Sequence, residues 1–334
     1  MRDTDYKGIN TLIRTYELRL LKREDFERLI KADSLKAALD FLKSTDYEID
    51  TEAVLHDKRF NEFLMTHLSN VYEELYEVAP QPELVDLFSL RYSYHNLKVM
   101  LKERFLEQDH SDLLIPIGRL SLDSLRNLIE TQESSSAHPI MTEAVKAVIE
   151  EFEESQRIEA VTVYMDTYYL RHLRAISNDL NNPTITKITD LIIDMYNLST
   201  VVRSRKQGKP RSHLYALLSS AGSVSKQEMI DESINGPVAV IKKLYGGQTY
   251  SSELDKVISD NNTVQTLKLD KLQADLIHDV VSSGLYEAFG PMPLLGYLYA
   301  KETEVTNLRL LLVGKDNGIN EDILRESVRQ VYGS

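Results

Sequence analysis

Cysteine and tryptophan are both absent from this chain of 334 residues. Without cysteine there is no disulfide, no thiolate metal site and no cysteine nucleophile, and the composition suits a reducing cytosol. Glycine (13) and proline (9) are scarce, together about half of the roughly 7% and 5% usual in proteins. So few breakers in a Leu-, Glu- and Lys-rich chain predict long helices joined by short turns. Long apolar runs are missing too. The longest, such as Leu310 to Val313, fall far short of the about 20 residues that a membrane span needs. The start, Met1-Arg2-Asp3-Thr4-Asp5, is charged and no apolar segment follows, so no signal peptide is predicted. Positive charge is in deficit: the net charge is −13, and between Ser44 and Leu90 eleven acids face only Lys58 and Arg59. That balance disfavours nucleic acid, which is bound through Lys and Arg on phosphates, and unaided attachment to an anionic lipid leaflet.

Catalytic motifs are missing as well. Gly314-Lys315 is followed by Asp316, and Arg309 stands where a P-loop needs its first glycine. There is no G-x-G-x-x-G and no G-x-S-x-G. The eight histidines contain no H-x-x-x-H or H-E-x-x-H. His172, among Tyr168, Tyr169 and Leu173, reads as a core or boundary histidine rather than a ligand. Glu150-Glu151 and Glu153-Glu154 read as a solvated helical face. No enzyme, cofactor or metal site is predicted.

What is present is helical periodicity. Leu12, Tyr16 and Leu20 form one apolar stripe, and Val161, Met165, Tyr168, Tyr169 and His172 another at three- and four-residue steps, the spacing of amphipathic helices rather than strands. Turn clusters fall near residues 108–111, 133–139, 178–183, 208–212, 235–237, 246–252 and 259–263. None is long enough to be a disordered linker. A dipeptide recurs in these helices: His95-Asn96-Leu97-Lys98, Tyr196-Asn197-Leu198-Ser199 and Thr306-Asn307-Leu308-Arg309, with spacings of 101 and 110. An apolar turn and a basic end follow each. A second element comes next in order, a capped helix start at Gly118–Asp123, Gly222–Glu228 and Gly318–Asp322, with Leu21-Lys22-Arg23 resembling a fourth. Two ordered elements sharing one period predict a threefold internal repeat. Such units either close around a pseudo-threefold axis, leaving a central cup, or stack as an open superhelix.

The stretch Gly290–Lys315 reads as one helix closed by Gly314 and Lys315. Lys301, Glu302, Glu304 and Arg309 sit on or beside its apolar stripe, either as ion pairs (Lys301 with Glu304, Glu302 with Arg309) or as the polar wall of a wet cavity. Desolvation requires such groups to be paired at a packed boundary. The eighteen tyrosines serve helix packing or a protein-binding wall. Arg203, Arg205, Lys206, Lys209 and Arg211 put five cations and no acid into nine residues. A helix C-terminus accounts for two or three of them, and the surplus marks a docking patch for an acidic partner.

Pro293-Leu294-Leu295, Tyr297, Lys301-Glu302, Glu304, Asn307-Leu308-Arg309, Gly314-Lys315, Gly318 and Tyr332-Gly333 resemble the C-terminal stretch of the C/d subunit family of V-type and archaeal A-type rotary ATPases. Tyr16, Arg19-Leu20-Leu21 and Thr45-Asp46-Tyr47 are compatible with that family's opening. The resemblance implies an all-α fold of three similar helical bundles (1–115, 116–218, 219–334) around a pseudo-threefold axis, shaped as a funnel. It also implies a non-catalytic rotor subunit, one copy per complex, that couples the central-stalk subunits to the membrane rotor ring. The chain would then lie on the cytoplasmic face of the membrane, held through the ring. Partner contacts are expected at Arg91, Arg203, Arg205, Lys206 and Arg309, where charge complementarity resists slippage. From the residues alone, a soluble helical-repeat scaffold recruiting protein partners is the alternative.

Overall fold

The computed structural model describes residues 6–333, so the charged start Met1–Asp5 lies outside the described part. Within it seventeen α-helices follow one another: α1 (Lys7–Glu17), α2 (Arg23–Lys31), α3 (Leu35–Lys43), α4 (Thr51–Asp57), α5 (Phe60–Val78), α6 (Pro82–Leu106), α7 (Leu122–Thr131), α8 (Pro139–Ser155), α9 (Glu159–Leu180), α10 (Pro183–Lys206), α11 (Leu214–Leu217), α12 (Lys226–Glu232), α13 (Pro237–Leu244), α14 (Ser251–Asp255), α15 (Thr266–Val281), α16 (Met292–Asp316) and α17 (Glu321–Ser327). Among the described residues there is no strand, only one isolated bridge between Ile258 and Val264. The all-α prediction holds. The local sequence explains the boundaries. Ser34, Ser121, Asn182, Ser225 and Asn320 accept backbone N–H groups at helix starts, satisfying donors that the helix cannot. Gln132, Gln156 and Asn181 end α7, α8 and α9 in the left-handed conformation.

The chain divides into two compact units, Met1–Phe88 with His278–Ser334, and Ser89–Ile277. In the first, α16 is the central helix, with α1, α3, α5, α17 and the 3-10 turn Ser282–Leu285 packed on it. Every residue from Met292 to Val305 is buried, which is why the helix is apolar around most of its circumference. Gly314 does not close this helix. It lies inside it, where a Cβ would collide with Leu324 of α17, and the helix stops at Asp316 ahead of Gly318 at φ +68°. In the second unit α8 and α9 form a helical hairpin, and α10 packs on α9, α11 and α13.

The recurring Asn-Leu pair has one job, done three times. Asn96 donates from Nδ2 to the Ile115 carbonyl (2.6 Å) and accepts the Ile115 N–H at Oδ1 (2.9 Å). Asn197 does the same with Ser219 (2.9 and 2.8 Å), and Asn307 with Arg329 (3.2 and 2.9 Å). A backbone segment leaving its helix keeps both polar groups satisfied without a strand partner. The leucines after these asparagines, Leu97, Leu198 and Leu308, are fully buried.

Three residues before each asparagine stands a second contact. Ser93 abuts Gly118, where a Cβ would strike its hydroxyl. Asp194 accepts the Ser223 N–H (2.9 Å). Glu304 accepts the Leu21 N–H (2.6 Å). The segments held this way lead into α7, α12 and α2. A cation then closes the far end of each short helix: Arg104 donates to the Ile129 carbonyl (2.8 Å), Arg211 to Ile230 (2.8 Å), and Lys315 to Ile30 and Ala32 (2.7 and 2.8 Å). This changes one sequence assignment. The third copy's short helix is α2, supplied by the N-terminal segment, and not α17, which Gly318–Asp322 opens.

Candidate partner-binding site

In the first unit Lys301, Glu302 and Glu304 of α16 are buried rather than exposed to a cavity. Lys301 is 1% exposed and Glu304 4%. Glu304 Oε1 accepts from Lys301 Nζ (2.8 Å) and from the Tyr47 hydroxyl (2.7 Å), while its other oxygen holds Leu21. Lys301 also lies 3.8 Å from Asp46 and over the Tyr47 ring. The predicted Lys301–Glu304 pair is therefore present, and the predicted Glu302–Arg309 pair is not. Glu302 accepts the Tyr72 hydroxyl (2.5 Å), whereas Arg309 is exposed beside the Met65 sulfur. The helix turns Glu302 inward towards α5 and leaves Arg309 at the rim.

A cavity of about 790 Å³ opens on the same unit, walled by the acidic stretch: Asp46, Glu48, Asp50, Asp57, Glu62 and Glu74 all line it. Arg59 pairs with Asp57 and Glu62, and Tyr16 with Glu74. Of α16 only Tyr297 reaches the wall. His67 lines the cavity, its ring tilted against that of Tyr47 (4.2 Å between centroids). Burial, aided by the nearby Lys301 charge, holds its imidazole down to about 4. No three His, Asp or Glu among the described residues are placed to hold a metal ion.

The sequence-predicted contact residues do not gather into one patch. Arg309 belongs to the first unit. Arg91 lies in the second, on α6, exposed with its guanidinium over the Tyr92 ring (4.7 Å). Arg203, Arg205 and Lys206 lie together in the last turn of α10, all exposed. Arg203 faces Asp270 (3.8 Å), Lys206 donates to the Thr266 hydroxyl (3.4 Å), and Arg211 is occupied at the end of α12 and by Asp231. His172, as predicted, is a core residue: 4% exposed, its Nδ1 lies within hydrogen-bond distance of the Tyr94 hydroxyl (3.2 Å) and its ring stacks on His138 (4.2 Å). The acidic stretch from Ser44 to Leu90 was visible in the sequence, but not that it walls a cavity, because those walls are assembled from α1, α4, α5, α16 and the loops beside them.

These features define an all-helical protein with Lys301 and Glu304 paired in its interior and a basic face at the end of α10. Residues 9–327 match the ATP synthase (C/AC39) subunit family. The chain is 32% identical over 328 residues to the C subunit of the V-type sodium ATPase of Enterococcus hirae, covering 98% of this chain and 99% of that one. It is 22% identical to the C subunit of the A-type ATP synthase of Methanocaldococcus jannaschii, over 96% and 85% of the two chains, and 23% identical to that of Methanobrevibacter smithii, over 91% and 82%. This chain belongs to the ATP synthase (C/AC39) subunit family. No helix among the described residues is long and apolar enough to cross a membrane.

Proposed function

We propose that this chain is a non-catalytic rotor subunit of a V- or A-type ATPase, a socket that couples the central stalk to the membrane rotor ring so that rotation reaches ion transport. One observation carries the reading: the similarity to the C subunit of a V-type ATPase covers nearly the whole of both chains. The thrice-used asparagine clamp supports three helical bundles around a pseudo-threefold axis, with a funnel for the stalk. In this reading the chain is present once per complex and reaches the membrane only through the ring. The test is a pull-down of the tagged chain from detergent-solubilised membranes of its own organism, with partners identified by mass spectrometry. Recovery of a small, very hydrophobic ring subunit together with a coiled-coil stalk subunit is expected. Recovery of soluble proteins alone overturns the reading in favour of a scaffold.

A further inference from the structure

The second copy of the repeat departs from the other two in its cation. Arg104 and Lys315 each lie eight residues after their asparagine, and each closes the end of a short helix. The residue eight after Asn197 is Arg205, yet α12 is closed by Arg211 instead. Arg205 is thereby released from the structural duty its counterparts perform, and it bonds to no carbonyl or carboxylate among the described residues. It stands instead with Lys206 at the rim of a pocket of about 280 Å³ whose apolar lining includes Val202, Pro237, Val238 and Val264. That volume lies just below the range for small-molecule sites, roughly 300–1,000 Å³, and suits one or two apolar side chains better than a cofactor. Beside it stand two strongly exposed apolar side chains, Ile234 (68%) and Leu267 (84%). The first adjoins the rim residue Asn235, and the second adjoins Thr266, which Lys206 holds.

We infer that this face of the second unit is a docking site for an acidic protein segment that carries an apolar anchor. Carboxylates of the partner pair with Arg205, Lys206 and Lys209, its anchor fills the pocket, and Ile234 and Leu267 cover the flanks. Charge complementarity selects this occupant. The chain as a whole is at −13, so Arg205, Lys206 and Lys209, none paired with a carboxylate among the described residues, discriminate beside apolar surface for an anionic partner. Buried apolar anchors ringed by polar contacts are the usual source of affinity in such interfaces. The inference rests on the reading of the chain as an ATPase subunit only in where the partner is sought.

The test uses the full chain against an array of overlapping peptides spanning the other subunits of the same organism's ATPase, followed by titration of the binders. Peptides that combine net negative charge with a Leu, Ile or Phe should bind. Arg205→Glu with Lys206→Glu, and separately Ile234→Ser with Leu267→Ser, should each weaken them by about tenfold or more. Arg205→Lys with Lys206→Arg should retain binding, and Arg157→Glu, at the exposed turn between α8 and α9, should leave it unchanged. Unaltered hydrogen exchange in α10 and α12 establishes that the variants are folded. Binders without net negative charge, binding indifferent to both double variants, or binding only to phosphatidylglycerol vesicles would overturn the site. The pull-down separates the two claims. An R205E/K206E chain that still recovers ring and stalk in wild-type yield overturns the docking face and leaves the rotor reading intact. A wild-type chain that recovers neither overturns the rotor reading, while the peptide result still judges the face.

Discussion

The two units use one clamp under different electrostatic rules. In the second unit the residue six before each asparagine is a leucine, Leu90 or Leu191, and both are buried. In the first unit that position is Lys301, just as buried. The residue three before the asparagine is Ser93 or Asp194 in the second unit and Glu304 in the first. The sequence distances bridged also differ. Asp194 reaches 29 residues ahead to Ser223, while Glu304 reaches 283 residues back to Leu21. A tenfold longer loop costs ~2 kcal/mol more chain entropy to close. The first unit offsets that cost with a buried ion pair, a tyrosine hydroxyl and a backbone N–H on a single carboxylate. The charged cluster on α16 thus belongs to the joining of the chain's two ends, and the other copies manage without a buried lysine because their loops are short.

The comparison is most sharply tested at Lys301. Lys301→Leu, which gives the first unit the residue of the other two copies, leaves Glu304 without its cation in a dry site. Breaking one partner of a buried pair typically costs about 3–5 kcal/mol, and that loss is expected here. It should appear in hydrogen exchange as early opening of α16 and α2, with α8 and α9 unaffected. Adding Glu304→Gln removes the orphaned charge and should recover part of the loss. A K301L protein within about 1 kcal/mol of wild type would show that the ion pair does not hold the ends together.

Next in size are the asparagines. Each clamp satisfies a backbone N–H and C=O together, and leaving such groups unpaired costs about 1–3 kcal/mol. Asn197→Ala should be the most damaging of the three, because Asn197 and Ser219 are both buried. Asn96→Ala and Asn307→Ala should cost less, since Ile115 and Arg329 are half-exposed and water can replace the lost partner. Denaturant melts of the three variants give the order. Equal losses at all three sites would mean that the clamps differ less than their burial implies.

Much of this was legible in the sequence, for identifiable reasons. Helix content followed from scarce breakers and the three-to-four-residue spacing of apolar side chains. The asparagine repeat was visible because the clamp needs one side chain able to donate and accept at once, which restricts the residue type. The partnership of α2 with α16 was not legible. It joins segments nearly 300 residues apart, and the local motif Gly318–Asp322, a sound helix start in its own right, occupied the expected place. Glu302 and Arg309 have a suitable helical spacing for pairing, but Tyr72 on another helix takes the carboxylate. Release of Arg205 became visible only with Arg211 on the carbonyl that the repeat would assign to it.

The smallest effect separates the units by pH. Burial holds His172, in the second unit, down to about 3, with His138 and Arg119 nearby adding to the effect, and it holds His67, in the first, to about 4. An unfolded histidine titrates near 6.5. Below that value the unfolded chain binds protons that the folded one refuses, so stability falls as the pH drops, through about 4 for His67 and about 3 for His172. Between pH 7 and 5.5 the loss for a fully buried histidine is about 1 kcal/mol, and less for His67, which is partly exposed to the acidic cavity. His172→Phe and His67→Phe should therefore lose stability at neutral pH yet flatten its decline with acid, the first variant more than the second and each in its own unit by hydrogen exchange. A decline with acid that keeps its slope in His172→Phe would place the sensitivity in paired carboxylates instead. Glu143 is one of these: the hydrogen bond from Arg171 holds its carboxyl below the usual range, so its contribution is also lost as the pH falls.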